Sequence, residues 1–346
     1  MLIQDKNNFD AVRLSLAITV VFSHVLVLTQ LPTFSNFYLF NADFAVKGFF
    51  AISGFLVMKS YSSSASLFEF FEKRIRRIYP AYFTTIIICF LLGVSYTTLD
   101  LYEFLKHPDS IRYVISNLTF LNFIQPSLPS VFDGNPYKII DGSLWTIKIE
   151  ICLYLCIPII FFSFRRWGAI RAAGLIFILS SAWVLFFKHF LGTTLGAEVA
   201  RQFPGQLSYF IFGALLSFNE KVFALLGYIL ILSFALFLIF ENTFLNVLLE
   251  PSFYSSLVIY LATKAIKNLH LGKFGDLSYG VYLIHFPIIQ SLIHLKVFSY
   301  NPWLGLILTI ALTLCLAWLS WHLIEKRFLK RSSYYVLTER GNDTNP

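Results

Sequence analysis

The sequence predicts an all-α protein, a polytopic membrane helical bundle of about ten transmembrane helices. Three observations carry that prediction. Hydrophobic residues make up 57% of the chain and charged residues only 13%, about half the charge fraction of an ordinary soluble domain. The apolar residues fall in runs of about 20, the length that crosses a hydrocarbon core of ~30 Å at ~1.5 Å per residue. The lysines and arginines cluster between those runs and favour one of the two sides they define.

The candidate spans are 11–31, 44–61, 78–95, 143–163, 168–188, 204–219, 222–240, 247–263, 275–295 and 303–324. The first, AVRLSLAITVVFSHVLVLTQL, is expected to stay as a span. One lysine precedes Arg13, and no small-residue cleavage site follows the run. Before the third span lies the basic stretch EKRIRRIYPAY, read as a loop with Pro80 near the next helix start. The stretch 96–142 is too polar to cross. Its PSLPSVFDGNPYKIIDGS portion reads as an ordered outer loop or partial lid, and 111–125 as a short interfacial or re-entrant piece. An even number of spans puts both termini on one side. With the N-terminus inside, 19 of the 27 lysines and arginines fall inside and 8 outside, so both termini are expected in the cytoplasm. The bundle occupies 1–331. The stretch 332–346 is expected to be a cytoplasmic tail, too short for a second domain. No internal repeat is visible.

This topology also accounts for the net charge of +8, so no nucleic-acid partner is expected. Cys89, Cys152, Cys156 and Cys315 all fall in apolar runs and read as small apolar fillers. No acid or histidine accompanies Cys152 and Cys156 in a ligand pattern, so no metal is expected.

Function is suggested by what interrupts the apolar runs. Arg13 and His24 are eleven residues apart in the first span, ~16 Å of rise and about three turns, so they share a face. An ionisable group at the depth of His24 costs at least a few kcal/mol unless it faces a polar interior. Counting ~1.5 Å per residue from the span edges puts His24 and Glu150 at ~20 Å from the inner edge, Ser53 at ~16 Å and His285 at ~15 Å. Tyr279 and Tyr282 lie below His285. Four spans thus bring polar groups to one slab, which implies an internal cavity. His24 and Glu150, at one level on different helices, are expected to lie close. At the cytoplasmic side Lys73, Arg74, Arg76 and Arg77 could hold phosphates, since arginine forks pair with phosphate oxygens and a helix start adds its positive pole. These residues suit either an enzyme with a buried site or a secondary transporter with an intramembrane proton or substrate site. Repeated halves and helices broken at matching positions would mark the transporter, and neither is found.

The motifs together resemble the acyltransferase-3 family of integral-membrane acyltransferases, which O-acetylate cell-surface carbohydrates in bacteria. Five pieces in order carry the resemblance over nearly the whole chain: FDAVRLSLAITVVFSH with its Arg-x10-His, KGFFAISGFLV, KRIRRIYPAY, DGSLWTIKIE ending at Glu150, and LSYGVYLIHFPI. Thr146 replaces a common serine, and Lys148 stands where a small or apolar residue is more usual. Some relatives carry a soluble esterase-like domain after the bundle, for which this chain is expected to have no room.

The resemblance implies a bacterial inner-membrane enzyme that takes an acetyl or similar acyl group from acetyl-CoA on the cytoplasmic side and places it on a carbohydrate hydroxyl. Lys73, Arg74, Arg76 and Arg77 would then bind the coenzyme A phosphates. His24, with an unperturbed pKa near 6.5, is expected to act as general base or to be acylated transiently. Glu150 would orient it, with Arg13 as a third catalytic-site residue. Ser53, Tyr282 or His285 would stabilise the oxyanion. The acceptor, the acylated position, the acyl chain length and the oligomeric state, a homo-oligomer included, are left open.

Overall fold

The computed structural model describes residues 7–241, 243–265, 269 and 275–330. Among them are sixteen α-helices and no strand. The helices are α1 Phe9–Thr29, α2 Ala42–Ser62, α3 Leu67–Tyr96, α4 Leu101–Lys106, α5 Pro108–Leu118, α6 Trp145–Trp167, α7 Ala169–Leu185 and α8 Thr194–Ala200. They continue as α9 Phe203–Phe218, α10 Glu220–Ala224, α11 Leu226–Ile239, α12 Asn246–Tyr260, α13 Ser278–His294, α14 Val297–Tyr300, α15 Pro302–Ser320 and α16 Lys326–Phe328. Each of the predicted spans coincides with a helix: α1, α2, α3, α6, α7, α9, α11, α12, α13 and α15. Six helical stretches among the described residues, those containing α1, α2, α3, α6, α7 and α15, are long and apolar enough to cross a membrane. The others have 14 to 17 residues. The predicted tail 332–346 lies outside the described residues. So do Lys6, Lys267, Lys273, Arg331 and Arg340 of the charge count, and His270.

One element differs from its prediction in a way that matters for the site. The basic stretch is not a loop, because α3 begins at Leu67 and runs unbroken through Pro80. Ser66 starts it. Its hydroxyl accepts from Glu69 N at 3.1 Å, while Glu69 reaches back to accept from Ala65 N at 2.8 Å. This is a capping box, Ser-x-x-Glu, shifted by one residue at its return bond. Pro80 removes only one helical hydrogen bond and strains one turn, too little to end a helix of 30 residues. Lys73 to Arg77 therefore lie in the second and third turns, beyond reach of the helix pole that was expected to help them bind phosphate.

The chain divides into two compact units. One comprises Met1–Val12, Asp43–Phe70 and Ile149–His270. In it α2 and α9 approach closely. A Cβ on Gly54 would sit 2.0 Å from the Phe210 carbonyl oxygen, and one on Gly213 2.0 Å from that of Ala51. The two backbones touch, which only glycine permits, and this fixes the turn of α2 that carries Ser53. The other unit comprises Arg13–Ala42, Phe71–Lys148 and Leu271–Pro346. In it α13 is buried along nearly its whole length. Gln290 of α13 holds the segment between α5 and α6. Its amide donates to the carbonyls of Tyr137 at 2.8 Å and Ile139 at 2.6 Å, and Asn135 Nδ2 donates to its Oε1 at 2.9 Å. The polar stretch that was expected as an ordered loop is thus pinned to a buried helix.

Candidate active site

His24 lies in the fifth turn of α1, on a helix with apolar neighbours. Its Nδ1 is 2.7 Å from Nε2 of His285 on α13. The two rings are nearly parallel, with centroids 5.0 Å apart and 7° between their planes. Phe286 meets the His24 ring edge-on at 5.3 Å. His285 is 0% exposed, and its Nδ1 lies 3.0 Å from the Val281 carbonyl one turn back. His24 is only half-buried, and among the described residues nothing hydrogen-bonds its Nε2. The predicted depths of these histidines differed by about one turn, and the side chains bridge it. His285 was an oxyanion candidate. The geometry removes it, because a carbonyl can only accept, so Nδ1 must donate to Val281 while Nε2 faces His24. No donor is left for an oxyanion.

Three turns below His24 on α1, Arg13 pairs with Asp276, the residue two places before α13. Arg77 of α3 pairs with the same carboxylate oxygen and with Glu325 at 3.0 Å. Asp276 and Glu325 are 1% and 2% exposed. The Arg77 guanidinium is also flanked by the rings of Tyr279 and Trp321, at 5.6 Å and 5.5 Å. Ser278 donates to the second oxygen of Asp276, from its hydroxyl and, at 3.2 Å, from its backbone N–H. Ser320 donates to Glu325 at 3.0 Å. Among the described residues, two cations and two anions thus pair with one another. Arg77 was expected to hold a donor phosphate with Lys73, Arg74 and Arg76, but two of its donors are given to carboxylates. Arg76 is the most exposed of the pairings in this stretch, its side chain 44% accessible and its Nε bonded to Glu72 at 2.8 Å.

The other unit holds two polar nodes. In the first, Glu150 Oε1 accepts from Ser53 Oγ at 3.2 Å and from the Tyr154 hydroxyl one turn along α6. Ser53 and Tyr154 are themselves 3.2 Å apart. Ser53 and Glu150, two of the four groups expected at one level, are hydrogen-bonded to each other. The hydrogen-bond partner the structure gives to His24 is His285, and the partners of Glu150 are Ser53 and Tyr154. In the second node Lys47 of α2 bonds Asp43 and, at 2.5 Å, Glu250 of α12, which also accepts from Tyr209 of α9 at 2.9 Å.

Tyr282, another oxyanion candidate, lies 2.8 Å from Thr146 Oγ1 and donates to the Ser143 carbonyl at 3.2 Å, tying α13 to the start of α6. There Asp141 Oδ1 accepts from the Ser143 N–H and hydroxyl at 2.9 Å and 2.7 Å, while its buried Oδ2 has no hydrogen-bond partner. Burial pushes the Asp141 carboxyl up to about 7, against the opposing pull of the Ser143 bonds. Lys148, the departure from the family's pattern, rests over the Phe123 ring at 4.5 Å.

Sequence reasoning missed Asp276, Glu325, and the Lys47–Glu250 pair. The last had a signal: opposite charges stand three residues inside the outer ends of two predicted spans, 44–61 and 247–263. Asp276 had none beyond an acid at a span edge, since its partners come from residues 263 and 199 positions away.

The chain matches the family model described as an acyltransferase domain over residues 6–322. It is 30% identical over 345 residues to an O-acetyl transferase of Shigella phage Sf6, covering 94% of this chain and 97% of that one. It is 29% identical over 351 residues to nodulation protein 10 of Rhizobium leguminosarum bv. viciae, with 94% of each chain covered. A peptidoglycan O-acetyltransferase, OatA, of Listeria monocytogenes is 26% identical over 341 residues, which take in 83% of this chain and 52% of the relative. No solved structure matches it significantly. With this match along nearly its whole length and its long apolar helices, the chain is a multi-pass membrane protein and belongs to the acyltransferase-3 family.

Proposed function

We propose that this protein is an O-acetyltransferase of the bacterial inner membrane, moving an acetyl group from acetyl-CoA to a hydroxyl of a cell-surface or lipid-linked carbohydrate. The observation that carries the reading is the half-buried His24 with one ring nitrogen engaged by His285 and the other bonded by none of the described residues. A hydroxyl is a poor nucleophile at neutral pH, and an imidazole nitrogen with its lone pair available is the usual remedy. The acetyl group follows from the names of the phage and Listeria relatives, and the carbohydrate from the peptidoglycan named for the latter.

In this reading the acceptor oxygen attacks the thioester carbonyl carbon while His24 Nε2 takes its proton. The C–S bond breaks, and Nε2 returns that proton to the departing thiolate. One C–O bond replaces one C–S bond, and the products are the ester and free coenzyme A. Lys73, Arg74 and Arg76 bind the donor's phosphates, and Arg77, held by Asp276 and Glu325, anchors that part of α3. Glu150 is a catalytic-site residue on the strength of its motif, and Ser53 and Tyr282 are the oxyanion candidates. All ten spans cross, and both termini are cytoplasmic. Arg13 stabilises the cytoplasmic end of α1 through its pairing with Asp276.

The test is a donor assay. Purified protein in nanodiscs is given acetyl-CoA labelled in the acetyl group, with and without a bacterial glycolipid extract. Extract-dependent release of coenzyme A and label in the carbohydrate are the expected result. Label transferred only from some other donor would remove acetyl-CoA from the reading.

A further inference from the structure

We propose that His285 is a positioning residue, holding His24 in the tautomer that carries hydrogen on Nδ1 and leaving Nε2 as the atom that takes a proton. The proposal rests on the role given to His24 above, and it follows from a chain of hydrogen bonds read from its far end.

The Val281 carbonyl can only accept, so His285 Nδ1, 3.0 Å away, carries a hydrogen. In the neutral ring the other nitrogen, Nε2, then holds a lone pair. Nε2 is 2.7 Å from His24 Nδ1, so His24 Nδ1 must donate. That leaves the lone pair of His24 on Nε2, the nitrogen no described group bonds. A backbone carbonyl thus sets the tautomer of one ring, and that ring sets the tautomer of the next. The carbonyl belongs to a helix, and α13 is buried along nearly its whole length, so the sequence of donors cannot easily reverse.

The same distances decide where the positive charge rests once Nε2 has taken a proton. Two cationic rings would set N–H against N–H across 2.7 Å, so the pair accepts one extra proton and no second. His285 is fully buried, and the described groups bonded to it or stacked on it, the Val281 carbonyl and the rings of His24, Tyr282 and Phe286, include no carboxylate. His24 is the less buried of the two, partly exposed where His285 is not. The charge is therefore better solvated on His24, and His285 stays a neutral acceptor throughout. The role resembles that of the acid in a catalytic triad, which orients a histidine and fixes its tautomer. It differs in that the orienting group is uncharged.

Three variants and one spectrum test this. His285→Phe keeps a flat ring in the packed site and removes the acceptor. His285→Gln keeps an oxygen acceptor near the position of Nε2. His24→Gln assigns the His24 signals among the seven histidines of the chain. Protein labelled with ¹⁵N-histidine is studied in nanodiscs, where a protonated ring nitrogen resolves from an unprotonated one. His24 is expected to show hydrogen on Nδ1 in the wild type and in His285→Gln, and a mixture of both tautomers in His285→Phe. The Phe variant is expected to lose kcat by about 10²-fold with KM for the donor unchanged, and the Gln variant to stay within about tenfold of wild type. The proposal is overturned by hydrogen on Nε2 of wild-type His24, or by a Phe variant within about threefold of wild-type kcat. Equal losses in the Phe and Gln variants with an unaltered His24 tautomer also overturn it. Because the tautomer is read without turnover, an inactive His24 would sink the acyl-transfer reading and leave this result standing.

Discussion

The arginine–carboxylate cluster and the histidine pair use the same two parts of the chain. Arg13 and His24 share α1, and Asp276 and His285 stand just before and within α13. Around Asp276, each of the two guanidiniums meets a carboxylate, and the remaining carboxylate oxygens accept from serines. Around His24, the chain of bonds ends on a nitrogen that none of the described residues bonds. A closed set of buried charges holds helices together, since any member removed leaves its partners uncompensated. An open chain stabilises less and keeps a group available for chemistry. On the proposed reading, the difference separates structural from reactive ionisable groups within one helix, which depth in the membrane alone could not do.

The comparison can be broken most directly at Asp276. Replacing it by Asn leaves Arg13 and Arg77 facing an amide in a site 1% exposed. The expected cost is on the order of 3–5 kcal/mol, seen as a large fall in the thermal midpoint in nanodiscs. His24→Ala should leave that midpoint nearly unchanged. Equal midpoints for Asp276→Asn and wild type would show that the ion cluster does not hold the fold.

Asp141 offers the complementary case, a buried carboxyl with no cation paired to it among the described residues. Its folded-state pKa is about 7 against an ordinary 3.8. A raised pKa means that the folded state holds the proton more tightly. Its contribution to stability is full below about pH 4 and is lost as pH rises through about 7. A shift of this size corresponds to a few kcal/mol. Wild-type protein should therefore lose stability between pH 4 and 8 relative to Asp141→Asn, in which the amide keeps an acceptor for Ser143. Parallel stability curves for the two proteins would show that Asp141 is ionised in the fold without penalty.

A smaller effect is expected on donor binding. Joint replacement of Lys73, Arg74 and Arg76 by Ala should weaken acetyl-CoA binding by about 1–3 kcal/mol with the fold intact, because Arg77, the member tied to the closed cluster, is kept. Unchanged binding in calorimetry would leave these residues a topology signal only. The smallest change is expected from Glu150→Gln, which keeps an acceptor for Ser53 and Tyr154. Its rate should fall by less than the ~10²-fold expected of losing a base, and a loss equal to that of His24→Ala would promote Glu150 to the same rank.

The apolar runs made the fold legible. Period and length mark helices wherever the chain must satisfy its backbone internally, and each predicted span met a helix. The start of α3 was misread because Pro80 outweighed the capping box at Ser66 and Glu69, although one proline cannot end so long a helix. His24, Glu150 and Ser53 stood out in the sequence because polar groups are costly in apolar runs. Partners did not. The pairings Arg13–Asp276 and His24–His285 join residues more than 260 positions apart, and depth counted along each span orders groups by level without saying which face each presents. For the same reason His285 was assigned to the oxyanion. Only the Val281 carbonyl and the His24 ring show that both its nitrogens are engaged.

The central claim is that His24 Nε2 takes the acceptor's proton. It is tested most directly by the rate of acetyl transfer in His24→Ala protein, measured on folded material matched to wild type by thermal midpoint and by acetyl-CoA binding. The account predicts a fall of at least about 10²-fold with donor binding unchanged. Transfer at the wild-type rate by that protein would contradict it.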